Sequence, residues 1–532
     1  MQPSPGTARP SVTRSPRVLV IGAGVGGLTA AALLARQGLQ VRVLEQAATV
    51  GGKLGPIEVG TQARPVTLDA GPTVLTMRWV FDALFDALGL SFERSVSLQR
   101  CEVLARHAWG EQWLDLLADL EASVDAIARL AGPAEAARYR GFCQRSAAVF
   151  RTLDDTFLQA SRPNPLSLTA RVGWRRLPEM LAIAPFRSLW DELGRHFHDP
   201  RLRQLFGRYA TYCGSSPFEA PATLMLVAHV EREAVWQLAG GMRSLGAALL
   251  QAAQSQGVQV ACRQPVAEIR VDGGRVRGVR LASGEHIDAD AVLFNGDAAA
   301  LQAGLLGEAV RLATGGGRPL PRSLSALTWH FEGTVDSGPL SHHNIFFSPP
   351  DHDGYWREFD AIAAGRLPDS PTVYVCAQDR RARDDLPAPA GPERLMCLVN
   401  APAEQAGRTL DELEICACEQ AMWRQLARAG VRITLTSGTP RITRPEDHAR
   451  RHPGSQGALY GPSSQGWRSS FQRPAHRTAL AGLWLAGGTV HPGPGVPMAA
   501  LSGRLAAQQM LADLASTFRF HPVAMPGGMQ TP

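Results

Sequence analysis

Apolar residues recur along the chain in two rhythms, which separate strands from helices. A short unbroken apolar run at 18–21 predicts a strand buried on both faces, 289–295 a further buried strand and 258–261 a strand. Residues 40–44, 325–331, 344–347, 372–377, 395–400 and 433–436 also read as strands. Hairpins are predicted at 100–116, turning on Trp109-Gly110, and at 266–281, turning on Gly273-Gly274. Helical spacing marks 28–36, 79–88, 199–209, 221–234, 244–253, 410–429 and 499–514. A longer helical stretch, 120–160, is interrupted near Gly132-Pro133. Strands and helices alternate, so the pattern predicts an α/β fold.

The first strand breaks on Gly22-Ala23-Gly24-Val25-Gly26-Gly27, which fits G-x-G-x-x-G. Gly38 stops the following helix, and the second strand ends on Glu45, 18 residues after Gly27. This is a β-α-β unit for a dinucleotide. Its glycines let the backbone approach a pyrophosphate, the helix N-terminus faces the anion, and the acid holds a ribose hydroxyl. Further glycine sites lie far apart: Gly51-Gly52-Lys53, then Asp69-Ala70-Gly71-Pro72-Thr73, then Ala486-Gly487-Gly488 ahead of the last helix. An extended FAD needs such remote contacts along its length, so the spread favours FAD over NAD.

At 532 residues the chain exceeds one ordinary core, and two or three domains are expected. Hydrophobic residues make up 45 % and charged residues 19 %. The net charge of +6 is modest and dispersed, which does not support nucleic-acid binding and is compatible with an anionic bilayer surface. Lys53 is the only lysine. None of the eight cysteines forms C-x-x-C, so zinc is not expected and no metal site is assigned; the usage suits a reducing cytoplasm. No apolar stretch reaches the length of a membrane span.

The fingerprint, the GGK and DAGPT stretches and the terminal GGTVHPGPGVPMAALSG together resemble the carotenoid desaturase family of FAD oxidoreductases, from about Arg17 to Leu514. Residues 69–85, 199–224 and 374–384 are most similar to the bacterial hydroxyneurosporene (1-hydroxycarotenoid 3,4-) desaturases. Distant relatives carry an Asp after the final glycine pair; here Thr489 stands there, as is common in carotenoid desaturases. The resemblance implies a Rossmann-like, glutathione-reductase-type FAD-binding domain with an α+β substrate domain and a helical, membrane-facing subdomain. The expected division is a tail at 1–15, FAD-binding segments at 16–80, 236–298 and 478–516, substrate-domain segments at 81–160 and 299–477, a helical block at 161–235 and a tail at 517–532. In that block Trp174, Leu177, Leu181, Phe186, Leu189 and Trp190, with Arg171, Arg175, Arg176 and Arg187, suit either a lipid interface or internal packing.

The cofactor residues expected are Gly22, Gly24, Gly26, Gly27, Glu45, Gly52, Lys53, Gly71, Pro72, Thr73, Val266, Gly487, Gly488 and Val496, with Arg473 or Arg477 near the flavin. The activity implied is removal of two hydrogens across C3–C4 of a linear C40 1-hydroxycarotenoid, 1-hydroxyneurosporene giving demethylspheroidene, by hydride transfer to flavin N5. Oxygen or a quinone would take the electrons, on the cytoplasmic side of an inner photosynthetic membrane. His491 is the candidate catalytic residue, ahead of Asp297 and Glu231. His342, His343 or Tyr212 could meet the substrate hydroxyl. Three alternatives stay open: phytoene desaturation or carotenoid isomerisation on this scaffold, a non-catalytic GDI-like lipid carrier, and an amine oxidase. The last usually needs a flavin-side lysine, whereas Lys53 sits in the cofactor motif.

Overall fold

The computed structural model describes residues 15–61, 63–161, 183–184, 186–315, 317, 319–350, 352–381, 387–404, 408–436 and 438–516. Both expected tails lie almost wholly outside these residues.

Five parallel strands form the layer that positions the site. They are β1 (Arg17–Ile21), β2 (Gln40–Leu44), β3 (Gln259–Ala261), β4 (Ala291–Phe294) and β5 (Leu483–Leu485), in spatial order β5-β4-β1-β2-β3. β1 lies between β2 and β4, with Val18 opposite Val41 and Ala291. Cover on both faces explains why its apolar run is unbroken. α1 (Val25–Arg36) carries the chain from β1 to β2. It starts three residues before the predicted 28, because Val25, Gly26 and Gly27 already form its first turn. Gly38 follows its end with a φ of 84°. α2 (Val496–Ala515) lies against α1 and begins with Pro497 in its first turn. The two helices approach so closely that a Cβ on Gly503 would stand 2.3 Å from the Gly26 carbonyl oxygen.

An antiparallel sheet of Val266–Asp272, Arg275–Leu281 and His286–Asp288 packs Ile269 and Val279 with Ile21 and Phe294. A second, mixed sheet of eight strands is centred on Ser325–Ser337, Glu393–Ala401, Val373–Ala377 and His343–Phe346. Helix Glu412–Arg428 covers it with Ile415, Cys418, Met422 and Leu426 over Leu327 and Phe331.

Residues 78–117 divide between two packing partners. Helix Arg78–Ala87 packs on α2, while strands Val103–Trp109 and Gln112–Leu117 extend the eight-stranded sheet. In the helical block, Leu189 and Trp190 are buried at 0 % and 5 %, Trp190 against Phe218 and Tyr355, so they serve the interior and not a lipid face. Trp174, Leu177, Leu181, Arg171, Arg175 and Arg176 lie outside the described residues. Among those described, no helix is long and apolar enough to cross a membrane.

The helix crossing gives a paired prediction. Gly503→Val forces α2 off α1 and should destabilise by about 1–3 kcal/mol, the usual range for overpacking. Gly141→Ala, on the exposed face of helix Pro133–Leu153 with open space at its Cβ, should stabilise by roughly 0.5–1 kcal/mol. Thermal unfolding of both variants, with flavin content measured alongside, checks the opposite signs.

Candidate functional site

The glycine sites predicted from sequence meet at the carboxyl end of the parallel sheet. The Gly51 N–H donates to the Ala23 carbonyl at 2.8 Å, and Gly24 and Gly51 form a β-bridge, so the GGK turn lies on the fingerprint loop. Asn295, just past β4, donates through Nδ2 to the Gly22 carbonyl at 3.2 Å. A Cβ on Gly487 would stand 2.8 Å from the Asn295 Oδ1, so the terminal glycine turn closes on the same residue. Glu45 accepts from the N–H groups of Ala23 and Ala47, each at 2.8 Å. The Gln264 N–H donates to the Glu45 carbonyl, which brings the start of the Val266 strand alongside. Gly71 is packed so tightly that a Cβ would stand 1.8 Å from the Lys53 carbonyl oxygen. Val496 is the first residue of α2, and Pro72 and Thr73 follow Gly71 on the open side.

Charge converges beside this cradle. Lys53 donates through Nζ to the Leu459 carbonyl, and Arg322 pairs with Asp297. Arg473 is buried and donates to the carbonyls of Tyr460, Pro462 and Gly488 at 2.9–3.3 Å. Burial lowers the Lys53 ammonium from 10.5 to about 8; Asp297 opposes the fall, and Arg322 and Arg473 add to it. Burial likewise takes Arg473 to about 10. His448 and His452 are held at about 4 and about 3, so they bring no charge at neutral pH. Three cations therefore face one carboxylate. An uncompensated buried charge costs about 3–5 kcal/mol, so the arrangement calls for an anion.

The residues present fit FAD. Its diphosphate carries the two missing negative charges, and α1 offers a first turn whose N-cap, Gly24, supplies no side-chain cap. Gly24, Gly26, Gly27, Lys53, Arg322 and Arg473 would hold the diphosphate end, and Glu45 the ribose. Arg477 does not join them; it is exposed and paired with Asp513. Arg322 and Asn295 had no signal in the sequence, since each sits in a loop without a recognisable motif.

Away from the cradle the wall is aromatic and carries two polar groups. Thr73 Oγ1 lies 2.7 Å from the Tyr374 hydroxyl, which lies 2.7 Å from His343 Nδ1. Opposite, Glu231 accepts from the hydroxyls of Tyr209 at 2.8 Å and Tyr212 at 3.0 Å. Arg208 donates through Nη1 to the Tyr212 oxygen at 3.0 Å. Burial pushes Glu231 above the usual carboxylate range, against the pull of Arg208 and the tyrosines. His342 is lowered by burial to about 4, and His343 lies further below its ordinary value for the same reason, helped by His342 and Arg208. His342, His343 and Cys376 could converge on an ion, but His342 Nδ1 and His343 Nδ1 already meet Gln237 and Tyr374. His491 is buried, its Nε2 2.8 Å from the Ala160 carbonyl and its ring edge-on to Phe157. That nitrogen carries the proton it donates, so it is not the one that accepts from a substrate.

Residues 25–511 match the family described as flavin containing amine oxidoreductase, and the chain belongs to that family. The hydroxyneurosporene desaturase of Rubrivivax gelatinosus is 49 % identical over 97 % of both chains. That of Cereibacter sphaeroides is 43 % identical over 95 % of this chain and 99 % of its own. The crystal structure of cyclohexylamine oxidase from Brevibacterium oxydans shares the fold, with a TM-score of 0.54 at 14 % identity over 94 % of this chain and 100 % of its own. Within the family the chain is a carotenoid desaturase of the hydroxyneurosporene type, with FAD as its cofactor.

The charge cluster predicts a pH dependence. An anion beside Lys53 favours its protonated form, so flavin binding takes up a proton wherever the free group has lost its own. Affinity of the flavin-free protein should therefore fall as pH rises above about 8. Lys53→Met should flatten that fall and weaken binding about 10–100-fold at neutral pH, as expected for one charge-assisted hydrogen bond. The flavin-free chain itself should gain stability from this group between about 8 and 10.5, because the unfolded state holds the extra proton there. Flavin fluorescence titrations across pH check the affinities.

Proposed function

We propose that the chain introduces the C3–C4 double bond into acyclic 1-hydroxycarotenoids, taking 1-hydroxyneurosporene to demethylspheroidene. The observation that carries this reading is a small polar cluster, Arg208, Tyr212 and Glu231, set among aromatic rings one residue from Cys213, which feels the Arg473 charge of the cofactor cradle. The names of the similar desaturases agree with it. FAD held in the cradle supplies the two-electron acceptor for the oxidation. The chain's part is to align the polyene against that cradle and to exclude water. A polyene delocalises developing positive charge, so no strong base is needed. Asp297 is occupied by Arg322 and Glu231 by two tyrosines, which fits that requirement. His491, bonded to Ala160, is assigned to positioning the glycine turn and not to proton transfer.

The glutathione-reductase-type FAD domain, the substrate domain and the helical block are proposed as the working division of the chain. Association with a membrane surface is also proposed. Phe186 is 71 % exposed and Trp467 38 %, and they pack edge-on at 5.3 Å with Arg468 over the indole. Such a pair suits the headgroup level of a bilayer. Oxygen or a membrane quinone is proposed as the final acceptor. A phytoene desaturase would leave the polar cluster without a use, and a lipid carrier would leave the cation cluster without one.

Mixing the flavin-loaded protein with 1-hydroxyneurosporene in the absence of oxygen should bleach the flavin absorption and shift the polyene bands to the red together. Bleaching by phytoene and not by the hydroxylated polyene would overturn the assignment.

A further inference from the structure

The cluster around Glu231 contains a guanidinium whose hydrogen-bonding capacity is only partly used. Arg208 is buried at 5 % exposure. One of its nitrogens, Nη1, meets Tyr212, and its cation lies over the Tyr209 and Tyr212 rings, 5.4 and 4.9 Å from their centroids. Its Nε and Nη2 have no partner among the described residues. Buried N–H groups are nearly always paired, because water is no longer there to satisfy them. The Tyr212 oxygen donates to Glu231 and accepts from Arg208, which leaves it one further lone pair. Tyr209, Arg208 and Glu231 are buried, whereas Tyr212 is half-buried and is the accessible member of the cluster. The cluster thus holds two unpaired buried donors and, on Tyr212, a spare acceptor. A neutral hydroxyl, with one proton to give and two lone pairs to fill, completes that set. A carboxylate or phosphate would not, since Glu231 already balances the Arg208 charge.

The place of the cluster is as informative as its chemistry. Arg208–Cys213 is a single short 3-10 helix. Its last residue, Cys213, next to Tyr212, lies within the field of Arg473 in the cation cluster. On the other side Tyr374, which feels Tyr212, is bonded to Thr73, two residues from the Gly71 that presses on Lys53. Both segments that bracket the polar cluster therefore touch the cofactor cradle. A hydroxyl on C1 is separated from C3 by a single carbon, so its anchor has to stand beside the reacting bond and not at the far end of the polyene.

We propose that Arg208 and Tyr212, braced by Glu231 and Tyr209, bind the tertiary 1-hydroxyl of the substrate and so set which C–H bonds face the cofactor. The proposal rests on reading the chain as a hydroxycarotenoid desaturase. Arg208 donates to the hydroxyl oxygen, and the hydroxyl proton points to Tyr212. A polyene that lacks the hydroxyl strands the same buried donors, and such a site rejects it more strongly than an apolar pocket would. Tyr212 was one of three candidates that the sequence left open. His342 and His343 are drawn instead into Gln237, Arg380 and Tyr374.

Flavin reduction without oxygen, with 1-hydroxyneurosporene and with neurosporene, gives a ratio of kcat/KM values. Competition between the two polyenes for the flavin-free protein gives the corresponding ratio of affinities. The wild type should favour the hydroxylated polyene by at least about 100-fold. Arg208→Met should bring both ratios down toward unity, Tyr212→Phe should lower them up to about tenfold, as for one lost neutral hydrogen bond, and Arg208→Lys should recover part of the loss. Flavin content and thermal midpoint establish that each variant is folded. If Arg208→Met fails to fold, Tyr212→Phe decides. A wild type without preference, or variants that keep the preference or lose both polyenes equally, would overturn the proposal. A wild type whose flavin is not reduced by the hydroxylated polyene would instead overturn the functional reading beneath it.

Discussion

Three cations gathered around one carboxylate impose the strongest constraint on this structure. Lys53, Arg322, Arg473 and Asp297 come from four separate stretches of chain and meet where the parallel sheet ends. Such a cluster is costly to assemble without an anion, and the depressed ammonium of Lys53 shows it, lowered first by loss of water and further by Arg322 and Arg473. The glycine loops follow from the same need. Gly51-Gly52 must lie on the fingerprint, and Gly71 on the Lys53 carbonyl, for the charges to reach the seat a diphosphate would fill. Close backbone packing and unbalanced charge are two sides of one requirement.

The distribution of the cradle over the chain accounts for the architecture. A dinucleotide of FAD's length would touch the first β-α-β unit and, more than about 400 residues later in the chain, the turn before the last helix. α1 and α2 therefore have to lie side by side, and the glycine pair Gly26 and Gly503 permits it. The eight-stranded sheet then closes over the open side and brings Tyr374 and His343 to face Thr73 and Tyr212. A mostly apolar wall suits a polyene, and the small polar cluster within it gives that wall a direction.

The neutral histidines and the engaged carboxylates bear on the chemistry. At this wall the protein holds its ionisable groups in paired or uncharged states, which keeps the surroundings of low polarity. Such a surrounding favours oxidation of a hydrocarbon, where the delocalised chain itself spreads charge, over chemistry that depends on a strong base. Arg208 departs from this pattern, since its remaining donors are spare.

Much of the site could be read from local order. A fingerprint needs its glycines, helix and acid within a few tens of residues, so Gly22 to Glu45 declared the dinucleotide, and the unbroken run of β1 declared a strand covered on both faces. Even the remote Gly487-Gly488 turn was legible, because a strand broken by glycines ahead of a helix is a local pattern. Arg322, Asn295 and Arg208 gave no such signal. Their roles depend on which side chains end up opposite one another after strands far apart in sequence pair, and no spacing along the chain encodes that. Burial set the rest: whether Leu189 and Trp190 face lipid or the interior, and whether Arg473 or Arg477 lies in the cation cluster, were decided by packing around those residues. The sequence thus determined the cofactor motif and the class of fold, since both are written in short-range periodicity and in glycine. The electrostatics of the seat and the polar anchor in its wall were decided only by the tertiary structure, because desolvation and pairing are properties of assembled neighbours.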